Sequence, residues 1–143
     1  MIETQNIEEA KKLIKKEKKP ILIRAQNDEF NRKILEYGKF DALVSVELEK
    51  KKKRLRQVDS GFNHVLAAIA AKNNIALGIN LEEIRKLEKK EKAEIVSRII
   101  QNVKICRKAG VKIVLLDAKD KRNAFSFLIS LGASTKHAKE AIN

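Results

Sequence analysis

Tryptophan is absent from this 143-residue chain, and cysteine, proline, methionine and tyrosine each occur once. A lone cysteine, Cys106, excludes an intramolecular disulfide and suits a reducing compartment. Its apolar neighbours Ile99, Ile100 and Val103 put it on a core-facing helical stripe, so it reads as a small core residue rather than a nucleophile. Histidine occurs only as His64 and His137, far apart in sequence. The five glycines are scattered, so no glycine-rich loop is available to cradle phosphate. No apolar run approaches the ~20 residues of a membrane span, and the N-terminus has no signal-like apolar stretch. The expectation is a soluble, cytoplasmic protein with no membrane partner. Aromatic residues make up 4%, five Phe and one Tyr, too few to build stacking platforms for splayed bases. Phe125 and Phe127 lie close together, but in an apolar helical segment that reads as core.

Positive charge is what the chain has in excess. Lys and Arg number 32 against 19 acids, a formal net charge of +13. A Lys/Glu-rich surface that serves solubility or heat resistance accounts for many charges but not for their imbalance. The imbalance points to a polyanionic partner, because each neutralised phosphate releases condensed counterions. With 43% hydrophobic residues the chain still has the material for one buried core.

Periodicity predicts alternating helices and strands. A helix over 6–18 starts at Asn6, carries acids in its first turn and lysines in its last, and stops before Pro20. Ile21–Ala25 reads as a short buried strand, followed by a helix capped by Asp28 and closed by Gly38. Asp41–Val46 is the second strand, and a polar, strongly basic stretch runs from Glu47 to Asp59. Asp59 or Ser60 is expected to cap a third helix, Gly61–Asn74. Ile75–Asn80 is the third strand, Leu81–Leu87 a helical turn, Lys92–Gly110 a long helix and Lys112–Asp117 the fourth strand. Helices over Lys121–Leu131 and Thr135–Ile142 close the chain. This alternation means parallel pairing through right-handed crossovers. About four strands cannot close a barrel that typically takes ~250 residues. The expected fold is therefore α/β, an open sheet or part of a barrel, in a single domain over residues 1–143.

Loops leaving the carboxyl ends of parallel strands build the working face. The longest such loop is also the most basic: Lys50, Lys51, Lys52, Lys53, Arg54 and Arg56. Runs of like charge are commonly just solvated, but this one lies on the working face and only Glu47, Glu49 and Asp59 oppose it locally. Its arginines add bidentate phosphate binding to the point charge of lysine. The following Asp59-Ser60-Gly61-Phe62-Asn63-His64 places polar side chains at a helix start, where free N–H groups favour an anion. Ser60, Asn63 and His64 join the basic run as candidate RNA-binding residues. From spacing alone, a cap plus a plain helix surface accounts for this cluster slightly better than an anion site does.

The run DSGFNHVLAAIAAKNNIALGINL, Asp59 to Leu81, resembles the archaeal ribonuclease P protein component 3 family. That family is related to a eukaryotic subunit of ribonuclease P and MRP. The resemblance extends over Leu43–Ile142 and takes in Arg98, Gln101, Asn102, KIVLLDAKD and LISLG. It implies a shortened TIM-barrel-like fold, related to the PHP phosphoesterases, and a non-catalytic subunit that assists the RNA catalyst in 5′ processing of precursor tRNA. The implied partners are ribonuclease P RNA, precursor tRNA and another ribonuclease P protein component. A second copy of the chain is a further expected partner, since an open sheet leaves two edges. Against the family the chain lacks part of the usual length, chiefly at the N-terminus. It also has Asp117-Ala118 where relatives carry Ser, Gly or Ala.

Two other classes compete. A PHP-type phosphoesterase needs a His-x-His after its first strand and further ligands around two or three metals. His64 and His137 cannot furnish that set, and Asp117 with Asp120 would add little. No catalytic residue, metal or cofactor is therefore expected. A generic basic RNA-binding protein shares the charge, and only the identity of its RNA would tell it apart.

Overall fold

The computed structural model describes residues 1–48 and 60–142. Four strands, β1 (Leu22–Arg24), β2 (Ala42–Val44), β3 (Ala76–Asn80) and β4 (Ile113–Leu116), form one sheet. They pair in parallel in the order β1-β2-β3-β4. Each crossover thus moves one strand sideways in a constant direction, which is how the wall of a barrel grows, not how a doubly wound sheet reverses. The fold is a shortened TIM-barrel-like α/β arrangement. β1 also carries Ile2 on its outer edge, where the Ile2 amide donates to the Leu22 carbonyl and the Arg24 amide to the Ile2 carbonyl.

Strand register sorts the side chains between two faces. Ile23, Leu43, Leu77 and Ile113 stand in one row, all essentially inaccessible to solvent. They meet Phe30, Ile34, Leu66, Ile99, Val103 and Leu128 of the covering helices in a single core. On the opposite face, Arg24, Val44, Gly78 and Val114 form the neighbouring row. A Cβ on Gly78 would lie 2.8 Å from Val44 Cγ2, so this row accepts no side chain at 78 without displacing Val44.

Seven helices occur among the described residues, and their ends follow from local chemistry. In α1 (Ile7–Lys16) the Asn6 side chain accepts from the Glu8 and Glu9 amides, and Ala10 and Ile14 face inward. For α2 (Asp28–Tyr37) the cap is Asn27, not Asp28, its Oδ1 accepting from the Phe30 amide at 2.8 Å. Asn and Asp cap equally well, so two adjacent candidates are not separable by residue type. The larger correction is α3, which runs from His64 to Lys72 with Asn63 as its cap, rather than starting at Gly61 under Asp59 or Ser60. Gly61 sits at φ +78°, a left-handed conformation that a right-handed helix cannot contain, and Phe62 is pulled into the core. After α4 (Leu81–Arg85), α5 begins at Lys89 and extends to Ala109, ending on left-handed Gly110. Helices α6 (Lys121–Ser130) and α7 (Thr135–Ile142) match their expected positions. The second strand ends two residues early because Ser45 turns to φ +65° and Val46–Leu48 coil into a 3-10 turn.

Candidate nucleic-acid interface

Parallel pairing brings the carboxyl ends of all four strands to one rim. β1 delivers Arg24 there, β2 delivers the Val46–Leu48 turn, β3 leads into Asn80 and α4, and β4 into Asp117. The basic run Lys50, Lys51, Lys52, Lys53, Arg54 and Arg56 lies outside the described residues. Both of its flanks are described, and α5 holds them. Arg98 Nη1 donates to the Glu47 carbonyl at 2.8 Å, and Asn102 Nδ2 donates to the Ser60 carbonyl at 3.2 Å. These two residues are one helical turn apart, so a single face of α5 fixes the chain on both sides of 49–59. Gly61 closes against Val46: a Cβ there would run into the Val46 carbonyl oxygen.

The three candidates beyond the run separate. Ser60 is buried and its hydroxyl donates to the Phe62 carbonyl at 3.0 Å, which withdraws it from any surface ligand. Asn63 is exposed, although its Oδ1 is engaged with the Leu66 amide at 2.9 Å. His64 is exposed in the first turn of α3. Of the two histidines, His64 therefore stands at the carboxyl rim. His137 is held at the opposite end of the sheet, its ring between Ser134 Oγ at 2.8 Å and the Val111 carbonyl at 3.2 Å. The two cannot share one metal ion. Cys106 is buried and burial pushes its thiol up to about 12, as befits a core residue.

Beneath the rim lies a polar network that residue patterns do not reveal. Arg24 forms an ion pair with Glu83, and Asn80 both caps α4 and donates to Glu83 Oε1 at 3.3 Å. The hydrogen bond from Arg24 to Glu83 raises the Arg24 pKa further and keeps it charged. Glu47 is almost wholly buried, and among the described residues no donor of another side chain or backbone reaches its carboxyl oxygens. Burial pushes its pKa up to about 7 and Glu83 adds to the rise, while its own backbone amide, Arg24 and Arg98 only partly offset it. The sole signals for these groups in the sequence are a charge ending the apolar strand ILIRA and an acid directly after DALVSV.

Glu47 makes stability depend on pH. Its folded pKa lies above the ordinary 4.5, so both states are protonated below about pH 4.5. Between about 4.5 and 7 the unfolded chain ionises while the folded one keeps its proton, and stability falls as pH rises. Above that window the loss is complete, on the order of 3 kcal/mol. Denaturant melts from pH 4 to 8 should show this decline, and Glu47→Gln should flatten it and exceed the parent chain in stability at pH 8. An unchanged slope in the variant would mean that Glu47 is not the titrating group.

Fold and rim define a class: a parallel α/β sheet of barrel type whose carboxyl-end rim carries both flanks of the 49–59 segment. Within that class, the chain is related to archaeal ribonuclease P protein component 3. The protein of that name from Methanococcus maripaludis strain C6 is 26% identical over 117 residues, 80% of this chain and 47% of the relative. Its counterpart from Methanocaldococcus jannaschii is 30% identical over 102 residues, 71% of this chain and 41% of the relative. A chain in the cryo-EM structure of archaeal ribonuclease P with mature tRNA matches 99% of this chain at a TM-score of 0.78 and 25% identity. That match covers 62% of the solved chain. The chain thus spans about half the length of the curated relatives it matches. No family model matches it.

Proposed function

We propose that this chain is an RNA-binding protein subunit of ribonuclease P that assists the catalytic RNA in 5′-end maturation of precursor tRNA. The observation that carries this reading is the near-complete structural match to a chain of an archaeal ribonuclease P assembly with tRNA. A net charge of +13 supports it, since a subunit working on folded RNA needs cations for phosphates. In this reading, residues 1–143 act as one domain. Lys50, Lys51, Lys52, Lys53, Arg54 and Arg56 grip the RNA backbone at the rim, with Asn63 and His64 beside them. Ribonuclease P RNA, precursor tRNA and another ribonuclease P protein component are its partners, in the cytoplasm. The RNA performs the chemistry, and no side chain, metal or cofactor of this chain is given a catalytic role. The opposite placement of His64 and His137 supports this reading over a metal-dependent phosphoesterase.

Binding to ribonuclease P RNA, followed by filter retention across salt concentrations, tests the proposal. The logarithm of affinity should fall linearly with the logarithm of salt, roughly 0.7 to 0.9 units for each phosphate contact. A flat dependence would remove phosphate binding from the account.

A further inference from the structure

A cavity of about 570 Å³ opens between α4, the first half of α5 and the start of α6. Leu81 and Ala118, which closely follow β3 and β4, line it, so it sits at the carboxyl rim, on the side of β3 away from β2 and the Val46–Leu48 turn. Its floor is apolar: Leu81, Ile84, Val96 and Phe127, of which only Ile84 is fully buried. Three cations, Arg85, Lys92 and Lys119, stand around it. Apolar surface left half-exposed between two helices, with three cations and the Asp120 carboxylate at its edge, marks a binding groove.

Three occupants can be weighed on these features. RNA would bring phosphates to the cations, but the first-turn amides of α6 are already taken. Asp120 Oδ1 accepts from Arg122 and Asn123 at 2.9 and 3.1 Å. A single aromatic ring, Phe127, also gives bases no stacking platform. A second copy of this chain would bring more of the same charge to a cationic rim, since it carries +13 itself. An acidic amphipathic helix satisfies both the floor and the rim. We propose that this cavity is a docking groove for such a helix of a partner protein, with large apolar side chains on the Leu81–Val96–Phe127 floor and acidic ones facing Arg85, Lys92 and Lys119. Helices with anchors at i, i+3/i+4 and i+7 dock in this way, and charge complementarity sets their direction. The inference stands apart from the RNA reading, because the groove and the basic run share no residue.

The test places the photocrosslinker p-benzoylphenylalanine at Asn123, on the groove wall, in the full-length tagged chain within its own cells. The same group at Lys12, on α1, serves as control. Irradiation should give a protein adduct at Asn123 alone. Mass spectrometry of the crosslinked peptide should read apolar residues at helical spacing with Asp or Glu beside them. Adding Lys92→Glu and Lys119→Glu, both at the groove rim, should cut the adduct by about tenfold while leaving the melting temperature in place. An adduct removed by nuclease, an adduct with a second copy, an indifferent response to the charge reversals, or no adduct would each overturn the proposal. None of these outcomes changes the salt dependence of RNA binding, so the two readings fail separately.

Discussion

Gly61→Ala is expected to cost about 3 kcal/mol and to lower the melting temperature by about 10 °C. Two effects combine at this position. The backbone stands at φ +78°, where a side chain is strained, and the new Cβ would be driven into the Val46 carbonyl oxygen. Backbone cannot yield as the tip of a flexible side chain would. Gly110 provides the comparison, because it has the same φ of 78° but, among the described residues beyond its own chain neighbours, no atom within 4 Å of the place its Cβ would occupy. Gly110→Ala should therefore cost only about 1 kcal/mol, the conformational part alone. Circular-dichroism melts of the two variants separate strain from clash. Equal melting temperatures would mean that the close approach of Gly61 to Val46 does not govern this junction. The Gly61 variant should also weaken RNA binding, since Val46 and Ser60 flank the basic run and Arg98 and Asn102 hold both sides of it.

The second large effect is on binding. Replacing Lys51, Lys53, Arg54 and Arg56 together by Ala removes four cations from a run that faces little opposing charge. If each neutralises one phosphate, the slope of log affinity against log salt should flatten by about 3 units. His64→Ala, which removes one ring N–H donor from the first turn of α3 and none of the Lys or Arg cations, should leave the slope nearly unchanged and lower affinity modestly at every salt concentration. A quadruple variant with the parent slope would reduce the run to a solvated surface, and the phosphate contacts would have to be sought elsewhere.

Much of the fold is legible in the sequence because its determinants are local. Short apolar strands, separated by helices with recognisable caps, specify parallel pairing almost by themselves, and the four strands stand where expected. The differences fall where tertiary contacts override local preference. Nothing in the string Asp59-Ser60-Gly61-Phe62 says that Gly61 must turn left-handed to let Phe62 into the core, so periodicity starts α3 three residues too soon. The same contact explains Ser60: a serine before a helix reads as a cap with a free hydroxyl, whereas packing against α5 buries it. Glu47 reads as one of the acids opposing the basic run, because burial of a single acid depends on what folds over it. Arg98 and Asn102 stand out in the sequence only as points of family resemblance. Their hold on the flanks of the run needs the crossing of α5 over the Val46–Leu48 turn.

If this chain is a ribonuclease P subunit, as proposed, the RNA that accompanies it in cells identifies that role. The native, tagged protein should be purified under gentle salt, and the RNA that accompanies it sequenced against total cellular RNA. Ribonuclease P RNA should be enriched together with tRNA precursors that retain their 5′ leaders, and both should be lost in the Lys51, Lys53, Arg54 and Arg56 variant. Enrichment of ribosomal or other RNA without ribonuclease P RNA, or recovery of no RNA at all, would contradict that role.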